Sequence, residues 1–515
     1  MQKGIQARGG FPLPQPGTVT INGQAQKYLD FITEHQLTDP ALWRLFVSAF
    51  ETAADADDLG WRGEYWGKMM RGGCLVYRCT GDKRLYTVLQ SAVEALLAAA
   101  QEDGRISSYP REKDYMSWDL WCRKYVLTGM LHFYDICTDA TLKTRIVSAM
   151  EKHADCIIKG VGDGEGQIPI TETAEIWLGV NSCSILEPMV DLYLHTGEPR
   201  FLAFAKYIVN TGGCRGGNLI DLALEDRLLP SEYPEVKAYE TMSFFEGVLA
   251  YANAAGEPDL VTAVLRFAEK VRLNEITLIG CAGCTHELFD RAAVRQTEYS
   301  ETIMQETCVT VTWMRLCAKL FAKTGSDVWA AEVERSALNA LYGSVNLYGQ
   351  PIEDLCGAGA LQGLVFDSYS PLYMNRRGRG VGGLRFFADG AYYGCCVCIG
   401  AAGLAVYPLV EALRTKKDAP CTLREHLLNG KRAFTWGPLA LARDGAKEPG
   451  DIAAPVRPVY GDGGALRYTL EPCAPGEQLR LRLETETGPV LLTDYASCGK
   501  RWAEQSAPIT VWMNG

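Results

Sequence analysis

Over residues 40–345 apolar positions recur at helical spacing in segments that share one plan: an aromatic-containing amphipathic helix, a short turn, then a second helix. The turns read Thr80-Gly81-Asp82, Cys137-Thr138-Asp139, Thr196-Gly197-Glu198, Ala255-Gly256-Glu257 and Thr324-Gly325-Ser326. An aromatic residue stands three or four positions before each turn: Tyr77, Tyr134, Tyr193, Tyr251 and Phe321. From Thr80 through Thr138, Thr196, Ala255 and Thr324 the spacings are 58, 58, 59 and 69 residues, an approximate period of the size that stacked helix pairs produce. Glycine supplies the left-handed conformation that ends a helix, and the acidic or proline residue after it suits the first turn of the next one. Each turn is therefore read as joining an antiparallel pair. Five pairs, with a sixth completed by a helix over residues 400–415, predict an (α/α)6 barrel across residues 26–415; the same repeat is also compatible with an open solenoid. Closure is preferred because the chemically rich segments are the long, irregular, Gly-rich loops between pairs.

After residue 415 the period changes from helical to two. Lys431-Arg-Ala-Phe-Thr-Trp-Gly437, Leu466-Arg-Tyr-Thr-Leu470, Leu479-Arg-Leu-Arg-Leu483 and Ile509-Thr-Val-Trp-Met513 alternate apolar and polar residues between Gly/Pro-rich breaks, predicting a smaller β-sandwich domain over residues 416–515. Residues 1–25, with a Pro-Leu-Pro-Gln-Pro run, are expected to be extended. The fold class is thus mainly α, a helical barrel followed by a β domain.

Composition narrows the function. With 515 residues, 47% of them apolar, the chain is long enough for one large domain and a smaller one. A net charge of −11 without any Lys/Arg block argues against a nucleic-acid partner. The first residues hold no apolar signal core, and no uninterrupted apolar stretch of about 18 residues is evident, so neither export nor a membrane partner is expected. Eighteen scattered cysteines without a secretory signal point to a reducing, cytoplasmic setting. Cys79, Cys122, Cys137, Cys156 and Cys317 lie in helical apolar segments and read as buried thiols. A homo-oligomer is left open.

Three segments concentrate unusual residues: Cys281-Ala-Gly-Cys-Thr-His-Glu-Leu-Phe-Asp290, Met304-Gln-Glu-Thr-Cys-Val-Thr310 and Tyr393-Gly-Cys-Cys-Val-Cys-Ile-Gly400. Zinc (Zn2+) takes four ligands from thiolates, imidazoles and carboxylates. One ligand set is Glu306, Cys308, Cys395 and Cys396, with Glu306 and Cys308 at a helix N-terminus where a thiol ionises readily. The other is an architectural knot of Cys281, Cys284 and two of Cys395, Cys396 and Cys398. Spacing leaves both open.

The second and third segments resemble the zinc-binding motifs of the glycoside hydrolase family 127 β-L-arabinofuranosidases and their relatives. Weaker likenesses occur in Gly63-Glu-Tyr-Trp-Gly-Lys68, Lys237-Ala-Tyr-Glu240, Phe366-Asp-Ser-Tyr-Ser-Pro-Leu372, Trp436-Gly-Pro-Leu-Ala-Leu441 and Asp494-Tyr-Ala-Ser-Cys-Gly499. The resemblance implies an (α/α)6 barrel with β-sandwich domains, zinc on Glu306, Cys308, Cys395 and Cys396, Cys395 as nucleophile and an upstream glutamate, Glu287, as acid/base. Asp290, Glu298 and Glu301 compete for that last role. The implied reaction is retaining exo-hydrolysis of a small carbohydrate or glycoconjugate substrate, in which a nucleophile and an acid/base flank the anomeric carbon.

Sugar binding needs aromatic platforms and polar groups in a cleft. The candidates are Tyr65, Trp66, Lys237, Tyr239 and His286, with Trp61, Tyr115, Trp118, Trp121 and Trp177 in neighbouring loops. The family often carries histidine where Lys237 stands, so a carboxylated sugar is a further expectation. A sugar lyase or epimerase on a similar toroid and a carbohydrate-binding scaffold with structural zinc are the alternative readings.

Overall fold

The computed structural model describes residues 13–56, 60–283, 285–298, 304–354, 359–367, 369–372, 384–387, 389–414, 421–443, 456–501 and 511–514. The helices are α1 (Gly23–Ile32), α2 (Pro40–Thr52), α3 (Gly63–Thr80), α4 (Lys83–Ala98), α5 (Asp119–Ile136), α6 (Ala140–Gly160), α7 (Leu186–Thr196), α8 (Pro199–Asn210), α9 (Ala238–Ala255), α10 (Pro258–Asn274), α11 (Thr307–Thr324), α12 (Asp327–Ser336) and α13 (Cys395–Leu413). Short helical turns join several of them.

Six helices form a closed inner ring, each packed on the next in the order α3, α5, α7, α9, α11, α13 and back to α3. Buried on almost every face, they read as apolar all round apart from stripes of charge. The amphipathic helices α2, α4, α6, α8, α10 and α12 lie outside them. The five turns observed in the sequence join inner to outer helices. Gly81, Gly197, Gly256 and Gly325 take φ of 65°, 74°, 74° and 67°, the left-handed cap that favours glycine. At the turn lacking glycine, Cys137 is extended instead (φ −62°, ψ 132°). Asp82 and Asp139 then cap the following helices, each accepting two backbone N–H bonds. The sixth inner helix begins at Cys395, five residues before the predicted start, because the strand ahead of it runs straight into the helix. It packs against α1, so the two ends of the helical region close the ring.

Ring contact requires close backbone approach. A Cβ on Gly67 would lie 1.9 Å from the Tyr125 carbonyl oxygen, and one on Gly72 would lie 2.9 Å from the Ala401 Cβ. These glycines let α3 seat against α5 and α13. Helix α13 is long and apolar enough to cross a membrane, against the expectation from the sequence, yet 78% of its apolar window is buried inside the molecule. Its neighbours in the ring, α3 and α11, account for that composition.

Between α9 and α13 short strands interrupt the helices: β1 (Thr285–His286), β2 (Met304–Glu306) and β3 (Tyr369–Pro371) form one sheet in the order β1-β2-β3, and β4 (Leu384–Phe386) pairs with β5 (Tyr392–Gly394). The C-terminal strands are β6 (Leu423–Leu428), β7 (Lys431–Trp436), β8 (Leu439–Arg443), β9 (Tyr468–Leu470), β10 (Arg480–Leu483), β11 (Val490–Asp494) and β12 (Met513–Asn514), in the order β6-β7-β8-β11-β10-β9 with β12 on β7. Strand β8 pairs with β7 through Leu439 and Ala440, then with β11 through residues 441–443, linking the two halves. Phe434, Leu441, Leu481, Leu483, Leu492 and Met513 make its separate core. Asn339 joins it to the helices, donating to the Pro438 carbonyl at 2.8 Å and accepting from Ala440 N at 2.7 Å. The expected boundary at 415–416 lies outside the described residues, as do Cys284 and Glu301. Of the five helical cysteines, Cys156 is only half-buried; the others are buried.

Candidate active site

Two strand-to-helix junctions on neighbouring inner helices build the site. Strand β2 runs into α11, leaving Glu306 at the N-cap (φ −87°, ψ 138°) and Cys308 as the second helical residue. Strand β5 runs into α13, with Gly394 at the N-cap and Cys395 and Cys396 as the first two helical residues rather than part of a loop. Ligand atoms of Glu306, Cys308, Cys395 and Cys396 all lie within 4.8 Å of one another. Cys396 Sγ donates to Glu306 Oε1 at 2.9 Å, and the Cys395 and Cys396 sulfurs are 3.9 Å apart. Cys281 is buried elsewhere, donating to the Glu306 carbonyl at 3.4 Å, and Cys398 lies outside the cluster one turn along α13.

Four acids packed this closely resist ionising together. Burial, followed by the neighbouring Cys395 charge, pushes the Glu306 carboxyl up to about 8. Burial likewise pushes the Cys308 and Cys396 thiols up. Side-chain interactions with those two thiols, helped by Lys68 and Lys237, hold Cys395 well below the usual thiol range. Glu306 Oε2 is buried without a hydrogen-bond partner. An S3O set of this kind can hold a soft divalent cation, whose charge would let all four donors ionise.

The cluster forms the floor of a cavity of about 440 Å³ lined by Trp61, Glu64, Lys68, Trp118, Trp121, Ile176, Trp177, Lys237, Tyr239, Glu240, Glu287, Glu306, Arg385 and Cys395. Among the three cluster thiols Cys395 is the one on this wall, 9% exposed, while Cys308 and Cys396 are fully buried. Glu287 reaches the cavity from the segment after β1. Its carbonyl accepts from Ala238 N at 2.8 Å, Phe289 N donates to the Val236 carbonyl at 2.8 Å, and its carboxylate pairs with Lys237. Lys237 also lies 4.5 Å from the Trp177 ring centre. Asp290 is held by Arg295 at 2.8 Å, Glu298 is exposed, and neither lines the cavity.

Lys68 lies in the floor, buried, with Nζ 2.9 Å from Glu64 Oε1 and 3.7 Å from Cys308 Sγ. It also faces the Tyr239 ring at 4.8 Å and the Tyr125 ring at 5.3 Å. Burial acts to strip its proton, but Cys308 and Glu64 outweigh that and keep it charged. Burial, partly offset by Lys68, pushes Glu64 up to about 7, and Trp121 Nε1 donates to its other oxygen.

Lys237, Tyr239, Glu287 and Cys395 thus share one cavity, as do Trp61, Trp118, Trp121 and Trp177. Tyr65 and Trp66 do not. Both are fully buried, Tyr65 reaching the Tyr393 carbonyl and Trp66 the Ala92 carbonyl, each at 3.4 Å. The reason is helical phase: on α3 the residues at i and i+4, Glu64 and Lys68, face the cavity, and their neighbours turn into the packing between helices. The His286 side chain lies outside the described residues. Glu64, Lys68, Glu240 and Arg385 were missed. The first three stand in the two motif stretches already noted, where a helical projection from Glu64 or Lys237 would have found them.

A ring of six helix pairs with an acid-lined, tryptophan-walled cavity at the inner helix N-termini defines a carbohydrate-active toroid. Residues 20–352 match the family model described as β-L-arabinofuranosidase, GH127 catalytic domain. The chain belongs to that family and is a glycoside hydrolase with a carbohydrate substrate. Among solved structures, a GH127 β-arabinofuranosidase is 15% identical, with 99% of this chain and 98% of that one covered and a TM-score of 0.69. A GH127 β-L-arabinofuranosidase from Geobacillus stearothermophilus T6 is 14% identical, covering 96% and 100%, with a TM-score of 0.64. These likenesses establish the fold. No curated protein matches the sequence.

Proposed function

We propose that the protein is a zinc-dependent retaining exo-glycosidase of β-L-arabinofuranosidase type. The observation that carries this reading is that Cys395, the most exposed of the clustered thiols, opens on the same cavity as Glu287. Zinc–sulfur bonds of about 2.3 Å give a tetrahedral edge of about 3.8 Å, which the 3.9 Å between the Cys395 and Cys396 sulfurs matches. Glu306, Cys308, Cys395 and Cys396 would hold the ion. When bound, it would keep the thiols ionised and offset their charge. Cys395 Sγ attacks the anomeric carbon while Glu287 gives its proton to the departing glycosidic oxygen. Glu287 then takes a proton from the water that cleaves the carbon–sulfur bond, returning Cys395 as thiolate. The two other thiols are fully buried, and Cys308 also lies 3.7 Å from the Lys68 ammonium. Ionised, the three thiolates and Glu306 would carry four negative charges against the two of the ion, and that surplus would favour the positive charge that develops at the sugar ring.

A structural zinc site is closed to substrate, whereas two ligands of this cluster, Glu306 and Cys395, line the cavity. An acidic sugar is disfavoured because Lys237 already pairs with Glu287 and the wall is rich in carboxylates. The test is metal analysis of the purified protein, with and without chelator, beside a screen of aryl furanosides and pyranosides on wild type and Cys395→Ser. Activity on arabinofuranosides that vanishes with the metal and in Cys395→Ser is expected. Full activity in either metal-free protein or Cys395→Ser would sink the thiolate mechanism.

A further inference from the structure

The buried lining of the cavity holds most of its charge, and three of its five partly exposed residues are apolar. Glu64, Lys68, Glu240 and Glu306 lie at its buried floor with Cys395, while the partly exposed lining is Trp61, Ile176, Trp177, Glu287 and Arg385. Trp118, 8% exposed, meets Trp61 edge-on at 5.6 Å between ring centres and Trp121 edge-on at 5.7 Å, so indoles run continuously from floor to mouth. A pentose displaces on the order of five waters, roughly 150 Å³ at about 30 Å³ each. More than half of the 440 Å³ is therefore left for what the sugar is attached to.

The backbone at this mouth is strained. Trp61 has φ 60°, Trp177 φ 51°, Leu178 φ 48° and Ser117, beside Trp118, φ 51°. Non-glycine residues in this region each cost on the order of 1 kcal/mol or more, and such residues gather where a ligand is gripped. Glycine would relieve each position, yet two of the four are tryptophans turned to the cavity.

We propose that Trp61, Trp118, Ile176 and Trp177 form a leaving-group subsite for a planar, apolar aglycone such as a phenolic ring. This deepens the glycosidase reading and rests on it. Among the described residues, Glu287, Lys237 and Arg385 are the charged side chains beside the collar, with Lys237 Nζ 4.5 Å from the Trp177 ring centre. Glu287 is engaged by Lys237, and the Arg385 guanidinium lies 3.2 Å from the Trp61 ring centre. A second sugar would need several hydrogen-bonding partners for its hydroxyls, whereas a flat apolar ring needs the indole faces and edges this collar supplies.

The test compares kcat/KM for the 4-nitrophenyl and methyl glycosides of one sugar, and for the corresponding disaccharide, in wild type, Trp61→Gly and Ile176→Ser. Glycine suits the left-handed backbone at position 61, and the variant at 176 leaves the tryptophans in place. The aryl-to-methyl ratio should fall about tenfold in Trp61→Gly and about threefold in Ile176→Ser. An unchanged ratio in both overturns the proposal, and equal losses on aryl glycoside and disaccharide overturn its apolar assignment. Calorimetric titration with 4-nitrophenol reads the collar without turnover. Saturable binding weakened at least fivefold in Trp61→Gly supports it even where no glycoside is hydrolysed, an outcome that would instead defeat the proposed function. Equal binding in wild type and variant overturns it.

Discussion

Replacing Lys237 by methionine removes the charge beside Glu287 while keeping most of the side-chain volume. The backbone that carries Glu287 is held independently, by Ala238 N on the Glu287 carbonyl at 2.8 Å and by Phe289 N on Val236 at 2.8 Å, so the carboxyl should stay in place. An ammonium and a carboxylate in contact at about 3 Å attract by roughly 5 kcal/mol at an effective dielectric of about 20. Water reaches Glu287, whose side chain is 22% exposed, and reduces that ceiling. An opposite charge at this range typically moves a carboxyl by about 1 to 3 pH units. The ammonium favours the ionised form, so its loss lets Glu287 keep its proton to higher pH. If Glu287 is the acid, the basic limb of kcat/KM against pH should move upward by about one to two units in Lys237→Met. The assay is a pH–rate profile on one aryl furanoside for both proteins, with Glu287→Gln expected to lose the limb altogether. A limb that stays put or moves down in Lys237→Met would refute the assignment.

Three further outcomes follow from buried charge. Lys68→Met strands Glu64 in the core, and breaking such a pair costs about 3 to 5 kcal/mol; adding Glu64→Gln should restore part of it in denaturant titrations. No recovery in the double variant would show the two residues to be uncoupled. Glu275 Oε2 accepts from the backbone N–H groups of Asp290, Arg291 and Ala292 at 3.0, 2.9 and 3.2 Å, bracing the segment that bears Glu287. Glu275→Ala should destabilise by about 2 to 4 kcal/mol and lower kcat, and a variant with unaltered unfolding and turnover would contradict this. Burial, reinforced by Arg123, pushes buried His153 down to about 3. The unfolded chain takes that proton below about pH 6.5, so this contribution to stability is lost as pH falls from about 6.5 towards 3, by about 2 kcal/mol at pH 5. Urea titrations at pH 7 and 5 should show a smaller acid loss in His153→Gln; equal losses in both proteins would count against it.

The helix pairs were legible because their signals are local. A left-handed glycine, an aspartate cap or a proline acts within one turn of chain, and the C-terminal strands announce themselves by a two-residue period. The family motifs were legible too, yet spacing could not choose between two sets of sulfur ligands. That choice belongs to tertiary structure: Glu306 and Cys396, 90 positions apart, meet because β2 and β5 feed neighbouring inner helices of one ring. The phase of α3 was likewise decided by its neighbours. Gly67 and Gly72 press that helix onto α5 and α13, which buries Tyr65 and Trp66 and turns Glu64 and Lys68 towards the cavity. Sequence determined which segments are helix, strand and chemistry, since those depend on contacts a few residues apart; closure of the ring, which depends on contacts across the whole chain, decided which side chains share a site.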